Sequence, residues 1–322
     1  MRVCIVGCGI VGSYLAWRLS EEHDVTVFEK NKRIGEKACS GLVSKRIWDF
    51  IPRNNELIEN TIEEAYVHFP KKRVILDFYP RMFVINRKKL DQYVASLAEK
   101  NGAKIFLNSE VKKVYFLKKK RPQVLVSGKV IEFDYLIGCD GFFSIVRKTL
   151  KIKDPDYILG IYCYVNKKDE SKKVDVFPLK NGFAWKIPRG KKIEYGLLEL
   201  PEVAKSEFKK FCKRKKVKIK KVYSAPIPYG LVKAAKDRVA LCGDSIGLTK
   251  PLSSGGIMWG LIASEILVEN FPDFKKYEEE LQEFFEPKIF FSKLGDKLAR
   301  FLALHLPWLL PKRISFDSDI IY

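Results

Sequence analysis

Glutamine is nearly missing from this chain. Gln92, Gln123 and Gln282 are the whole complement in 322 residues, while charged residues make up 31%. Enriched charge with thinned labile amides is the composition of heat-adapted proteins. Histidine is as scarce: His23, His68 and His305 stand far apart. The seven cysteines (Cys4, Cys8, Cys39, Cys139, Cys163, Cys212 and Cys242) are odd in number and scattered, with no CxxC pair. This excludes a disulfide framework, and with so few histidines no zinc site is expected. No apolar run approaches the roughly 20 residues that a membrane-spanning helix needs. Met1 leads straight into an apolar strand and leaves no room for a secretory signal. The expectation is a soluble or monotopic chain in a reducing, cytoplasmic compartment. Peripheral contact with the inner face of the membrane is left open.

Acidic residues are also in deficit, with 39 Asp plus Glu against 60 Lys plus Arg, a formal charge of +21. A chain this basic works near lipid headgroups, phosphates or nucleic acid, or comes from a lysine-rich proteome; composition leaves both open. Hydrophobic residues at 47% and aromatics at 13% exclude general disorder. The length gives room for two domains of ordinary size.

Residues 2–6, Arg-Val-Cys-Ile-Val, form an unbroken apolar run, as in a strand buried on both faces of a parallel sheet. Gly7-x-Gly9-x-x-Gly12 follows, then a helical stretch to about Leu19 and a second strand, 24–28, ending at Glu29. In this dinucleotide fingerprint Gly7 permits the tight turn and Gly9 lets the backbone approach a pyrophosphate. Gly12 allows close helix–strand packing. The helix N-terminus presents free N–H groups to phosphate, and Val11 sits in its first turn. Glu29, at a strand end, is placed to accept ribose hydroxyls.

The chain then departs from a plain alternation of helices and strands. Residues 30–45 are polar and Gly-punctuated, and 46–60 look helical. Residues 64–69 and 73–79 alternate like a hairpin, with a short strand at 82–85. A helix over 87–100 leads to a strand at 103–107. Residues 111–117 and 123–127 read as a hairpin around the basic turn 118–121. Strands are expected at 135–139, through 157–200, at 217–225 and at 238–242. Helices are expected at 203–216, from about 255 to 270, and over most of 273–311.

Two further motifs close buried strands. Cys139-Asp140-Gly141-x-x-Ser144-x-x-Arg147 is the first. Gly243-Asp244, followed by Pro251-x-x-x-Gly255-Gly256-Ile257 at a helix start, is the second. An aspartate at a strand end suits a ribityl or ribose hydroxyl, and a Gly-Gly helix N-terminus suits the electron-rich edge of a flavin. Either motif alone reads equally well as an Asx turn; the three in this order point to FAD.

The series resembles FAD proteins of the p-hydroxybenzoate hydroxylase fold, and within them the geranylgeranyl reductase family, which hydrogenates isoprenoid double bonds of lipids and their precursors. The resemblance covers roughly residues 1–45, 86–150 and 236–270. Lys37-Ala-Cys39-Ser-Gly41 is similar to the family's Lys-x-Cys loop beside the flavin. Arg87 matches an arginine that contacts FAD, and Val111 a position at the adenine end. Asp244, Gly256 and Ile257 match residues beside the pyrophosphate and flavin. Gly182-Phe183-Ala-Trp185-Lys-Ile187-Pro188 resembles a Tyr-x-Trp-x-Phe-Pro signature. Phe183 and Ile187 stand in for its Tyr and Phe, and Lys180 stands where a proline is usual. Phe183, Trp185 and Pro188 are therefore expected in a substrate cavity, or else in an ordinary strand with one aromatic face.

The implied fold class is α/β, α+β overall: an FAD-binding Rossmann-like domain, an inserted antiparallel β-sheet substrate domain and a C-terminal helical region. The expected FAD-binding domain comprises 1–45, 86–150 and 231–270, the substrate domain 46–85 and 151–230, and the helical region 271–322. The implied activity is reduction of isolated C=C bonds in an isoprenoid lipid or prenyl diphosphate, with an external electron donor. An FAD-dependent monooxygenase and a non-catalytic basic scaffold are the rival readings. Cys39 is either a small packing residue or a catalytic thiol beside the flavin. The Lys-rich stretch 205–221 is either a solvated face or a binding patch. Phe208 and Phe211 within it are expected to face the core, and no nucleic-acid fold motif is present. Trp308 beside Lys312 and Arg313 resembles a membrane-interface anchor. The other reading of that segment is a helical cap with Leu298, Phe301, Leu302 and Leu306 packed inward.

Overall fold

The unbroken apolar run at the start of the chain lies where its lack of alternation requires. Strand Arg2–Val6 is flanked on both sides by parallel strands, Asp24–Phe28 and Tyr135–Gly138. The computed structural model describes residues 1–116 and 120–319. Lys104–Phe106 extends this sheet beyond Asp24–Phe28, and Val239–Leu241 pairs parallel on the far side of Tyr135–Gly138. Ala235–Lys236 closes the six-stranded sheet as an antiparallel edge. Helices α1 (Ile10–Leu19) and α2 (Arg87–Lys100) pack on each other. The short α3 (Ile145–Thr149) follows Asp140.

A second sheet has nine strands. Its order is Val222–Tyr229, Asp156–Val165, Ile193–Glu199, Phe183–Pro188, Lys173–Pro178, Ile58–His68, Arg73–Ile85 and Arg313–Phe316, with Leu42–Ser44 also on Arg73–Ile85. Pairing is antiparallel except where Lys173–Pro178 meets Ile58–His68 and where Arg313–Phe316 meets Arg73–Ile85. The period of two sorts the side chains. Cys163, Ala184 and Leu197 turn to α4 (Pro201–Arg214) and meet Ala204, Phe208 and Phe211. The opposite face, with Trp185, Ile187 and Leu198, turns to a cavity. The lysines of α4 at 205, 209, 210 and 213 are exposed, as a solvated face requires. Helices α5 (Ile257–Asn270) and α6 (Phe274–His305) complete the fold, with α5 packed on α1 and on α6.

Several elements differ from the sequence expectation. Residues 46–60 carry only two short 3-10 turns, Lys45–Asp49 and Asn55–Leu57, before the strand at Ile58. Pro52 interrupts the stretch, and the Asn54 side chain takes the N–H of Glu56, which stops a helix from forming. Residues 73–85 form one strand rather than two. The hairpin after Val111 gains a third strand, Lys129–Glu132, through a Ser127-Gly128 turn with φ of 49° and 76°. That two-residue turn with both φ positive is the tight-hairpin signal the sequence carries. The basic turn at 118–121 lies partly outside the described residues. The strand expected at 217–225 starts at Val222. The tail is not helical throughout, because Arg313–Phe316 adds a parallel edge strand to the large sheet.

Candidate functional site

The fingerprint glycines divide the work by geometry. Gly7 holds φ at +98°, and a Cβ there would come 2.5 Å from the Cys139 carbonyl oxygen. A Cβ on Gly12 would overlap the Gly7 carbonyl, so this glycine serves packing and does not line the cavity. A Cβ on Gly9 meets nothing within 4 Å: the space before its backbone is open. Among the described residues no side chain caps α1, and its first N–H groups face that space. Val11 lines the same wall and sits against Gly243 and Gly260. Glu29 is buried; its Oε2 accepts from the Cys8 N–H at 2.8 Å and its Oε1 from the Asn31 N–H at 2.9 Å. These bonds hold the carboxylate at the cavity wall.

Asp140 and Asp244 end neighbouring strands. Asp140 Oδ2 accepts from the N–H groups of Ile145 at 2.7 Å and Val146 at 3.3 Å and so caps α3. Its Oδ1 is buried and has no hydrogen-bond partner among the described residues. Burial raises the Asp140 pKa, opposed by its hydrogen bonds. An orphaned acceptor in the wall beside Gly141 and Gly9 is what a bound hydroxyl donor would satisfy, so the residues present fit FAD. Arg147, also fully buried, explains the spacing of its motif. It donates to the Ser245 carbonyl at 2.7 Å and to Asp154 through Nε at 3.0 Å, tying the two aspartate loops together.

Asp244 forms an ion pair with Lys37. A Cβ on Gly256 would come 3.2 Å from Asp244 Oδ1, so the start of α5 sits tightly against that carboxylate. Gly256 and Ile257 open α5 without a side-chain cap and line the cavity. The loop carrying Lys37 and Cys39 is held from the large sheet. The Cys39 N–H donates to the Tyr162 hydroxyl at 3.3 Å, and Arg189 donates to the Ser40 carbonyl. Gly41 stands at φ +69° against the Ile85 carbonyl, outside the lining. Its N–H points at Cys39 Sγ, 3.4 Å away. Arg87, buried with its partner Asp91 at 2.6 Å, reaches the cavity beside Cys39, and Val111 enters from the small hairpin.

Gly9, Glu29, Cys39, Arg87, Asp140 and Asp244 line one cavity of about 1320 Å³. It continues past Cys39 across the open face of the large sheet, where Leu76, Phe78, Tyr162, Val174, Phe183 and Trp185 form an apolar wall. Asp296, Ala299 and Arg300 of α6 and Leu310, Ile314 and Phe316 also line it. Trp185 donates through Nε1 to Glu194 at 2.8 Å, and Arg189 pairs with the same buried carboxylate at 3.0 Å. Pro188, expected in this wall, is one residue out of phase with Phe183, Trp185 and Ile187, and alternation turns it away. Motif reading missed Tyr162, Arg189 and Lys250. The first two are single polar residues in strands, whose role depends on register across the sheet.

The C-terminal segment divides its apolar residues differently from a simple cap. Leu298 and Phe301 face outward at 57% and 54% exposure, whereas Ala303 and Leu310 are buried against Val74. The inward packing expected for Leu298 and Phe301 is therefore not realised; Leu302 and Leu306 are half-buried. Among the described residues no helix is long and apolar enough to cross a membrane.

The FAD binding domain family model matches residues 1–185. The chain is 25% identical to a digeranylgeranylglycerophospholipid reductase of Methanococcus vannielii over 324 aligned residues, covering 89% of this chain and 81% of the relative. It is 24% identical to the chloroplastic geranylgeranyl diphosphate reductase of Arabidopsis thaliana, covering 87% and 68%. Among solved structures, a geranylgeranyl bacteriochlorophyll reductase-like protein from Thermoplasma acidophilum superposes with a TM-score of 0.82 at 20% identity, covering 99% of this chain and 89% of that one. With an open glycine cradle, an orphaned aspartate oxygen and a family match across more than half its length, this chain belongs to the FAD binding domain family and uses FAD as its cofactor.

Proposed function

We propose that this FAD-dependent oxidoreductase hydrogenates isolated C=C bonds of an isoprenoid lipid or prenyl diphosphate, drawing electrons from an external donor. The observation that carries the reading is the single cavity, whose glycine-lined end runs directly into a long apolar channel. In this reading residues 1–45, 86–150 and 231–270 hold the nucleotide, residues 46–85 and 151–230 hold the chain, and 271–322 closes the far end. Gly7, Gly9, Val11, Glu29, Arg87, Val111, Asp140, Gly141, Asp244, Gly256 and Ile257 are the residues proposed to hold FAD.

Reduced FAD supplies hydride when bound, and the alkene needs a proton at its other carbon. An unactivated alkene acquires tertiary cation character in such a step, so the wall has to exclude water and keep the alkene in near-attack geometry. The rings of Phe183, Trp185 and Tyr162 suit both tasks: they are rigid and present faces that attract positive charge. The Tyr162 hydroxyl and Cys39 are among the polar groups where the channel meets the glycine-lined end. Burial pushes the Tyr162 phenol up to about 12, so it stays protonated.

The outer face of α6 supports lipid access. Phe291, Leu294, Leu298 and Phe301 recur at helical spacing with more than half of each exposed, and Trp308 and Leu309 continue the strip. Lys293, Lys297 and Lys312 are exposed beside it. We read this face as a contact with an anionic lipid surface, since aromatic and basic residues together suit the interface. Flotation with anionic vesicles tests it: binding that falls with salt and in a Phe291→Ser plus Leu298→Ser variant supports the contact, and no binding at low salt refutes it. The activity is tested by anaerobic incubation of dithionite-reduced protein with prenyl lipids and mass spectrometry. Gain of two hydrogens per double bond is expected; turnover that requires oxygen would overturn the reading in favour of a monooxygenase.

A further inference from the structure

Beyond the cofactor loops, the cavity wall holds a lysine whose charge is compensated from the C-terminal tail. Lys250 is 5% exposed and lies in the loop that leads into α5. Its Nζ donates to the Ser318 carbonyl at 2.7 Å and stands 3.3 Å from the Asp319 carboxylate, which is fully buried. The tail is fixed in turn. Trp259 of α5 donates through Nε1 to the Asp319 carbonyl at 2.9 Å, and Arg46 pairs with Asp317 at 2.7 Å and with Asp319 at 3.2 Å. Upstream, Arg313–Phe316 is zipped to the edge of the large sheet.

The stem of Lys250 passes close under the start of α5. A Cβ on Gly255 would come 2.9 Å from Lys250 Cε and 3.5 Å from Nζ. The loop closes on itself, with the Lys250 N–H donating to the Gly255 carbonyl at 3.2 Å and the Ser254 N–H to the Lys250 carbonyl at 2.8 Å. The Lys250 side chain, paired with Asp319, therefore sits behind the N–H groups at the start of α5, which already carry the positive end of that helix's dipole. Burial pulls the Lys250 ammonium below the ordinary lysine range, and Asp319 opposes that pull.

We propose that Lys250 sets the electrostatic field at the N-terminus of α5, where the electron-rich edge of the flavin is received, and that Asp319 in the C-terminal tail limits that field. The pair is then a control on the relative stability of oxidised and reduced cofactor, built from two segments 69 residues apart in sequence. Two electrons and a proton entering the flavin leave its edge more negative. An uncompensated ammonium nearby favours the reduced form, and removal of the ammonium disfavours it.

The proposal rests on FAD binding and not on the identity of the alkene substrate, so the test uses the flavoprotein alone. Bound-flavin midpoint potentials are measured for the parent protein, Asp319→Asn, Lys250→Met and the double variant, with flavin stoichiometry as the check on folding. In Asp319→Asn the preference for reduced over oxidised FAD is expected to rise about tenfold. In Lys250→Met it falls by a similar factor, and the double variant returns toward the parent. Should Asp319→Asn not fold, Lys250→Met and the double variant still carry the comparison: a fall in the first and its reversal in the second support the proposal. Unchanged potentials, or shifts of the same sign in both single variants, overturn it and leave the pair a packing element.

Discussion

The guanidinium of Arg147 donates to the carbonyl of Ser245 at 2.7 Å, and by that bond the two aspartate loops become one wall. Ser245 completes the tie through its hydroxyl, which donates to the Gly138 carbonyl at 2.8 Å. Arg147→Met takes the donor from the Ser245 and Phe142 carbonyls and the ion pair from Asp154, and is expected to cost about 3 kcal/mol of stability. Arg147→Lys does not restore it, because an ammonium cannot reproduce the planar fork. Thermal melts of the apoprotein and flavin retention on gel filtration check both variants.

Gly9 and Gly12 separate cofactor binding from folding. Gly9→Val places a side chain in open space, so the apoprotein should melt near the parent temperature while FAD binding is abolished. Gly12→Val drives a side chain into the Gly7 carbonyl and should destabilise the apoprotein itself by more than about 2 kcal/mol. Stoichiometric flavin in the Gly9 variant would remove the phosphate from this cradle.

The aromatic wall should control which bonds react. Phe183→Ala enlarges the channel beside Trp185, whose ring centroid lies 5.9 Å from that of Phe183. The expected result is a changed distribution of reduced double bonds with flavin still bound. Trp185→Phe additionally deprives buried Glu194 of a donor and should cost about 1–3 kcal/mol. An unchanged product profile in both variants would make the strand ordinary core.

Asp140 gives a pH signature. Burial raises its folded pKa above that of an ordinary aspartate, so it takes up a proton at a higher pH than it would unfolded. The ionised form accepts best from a bound hydroxyl, so FAD affinity should weaken as pH falls through that raised value. Above it, affinity should be flat. Asp140→Asn is expected to bind FAD more weakly and to lose this acid limb, as titration by flavin fluorescence would reveal.

The glycine-lined end of the cavity was legible because its geometry is local. Gly7, Gly9, Gly12 and Glu29 belong to one βαβ unit, and the spacing of Asp140, Ser144 and Arg147 encodes a single capped turn. The channel was less legible. Phe183 and Trp185 were readable as one face of a strand, but Pro188 needed the phase of that strand. Tyr162 acts on Cys39 from a strand 123 residues away. The helix of the tail was legible, and α6 runs to His305, but the strand after it was not. Only pairing with Ile75–Phe78, far off in sequence, makes the following residues a strand.

The nucleotide cradle and the apolar channel are opposite ends of one cavity, and residues of α6 also line it. A long chain shifting within that channel need not displace the cofactor. A polyene bound there could advance by one isoprene unit and present its next double bond to the same reactive edge. Under the proposed activity, the enzyme would then be processive whenever re-reduction of the cofactor outpaces escape of the chain. The proportion of partially to fully saturated product would follow the supply of electrons, more than the intrinsic reactivity of each bond.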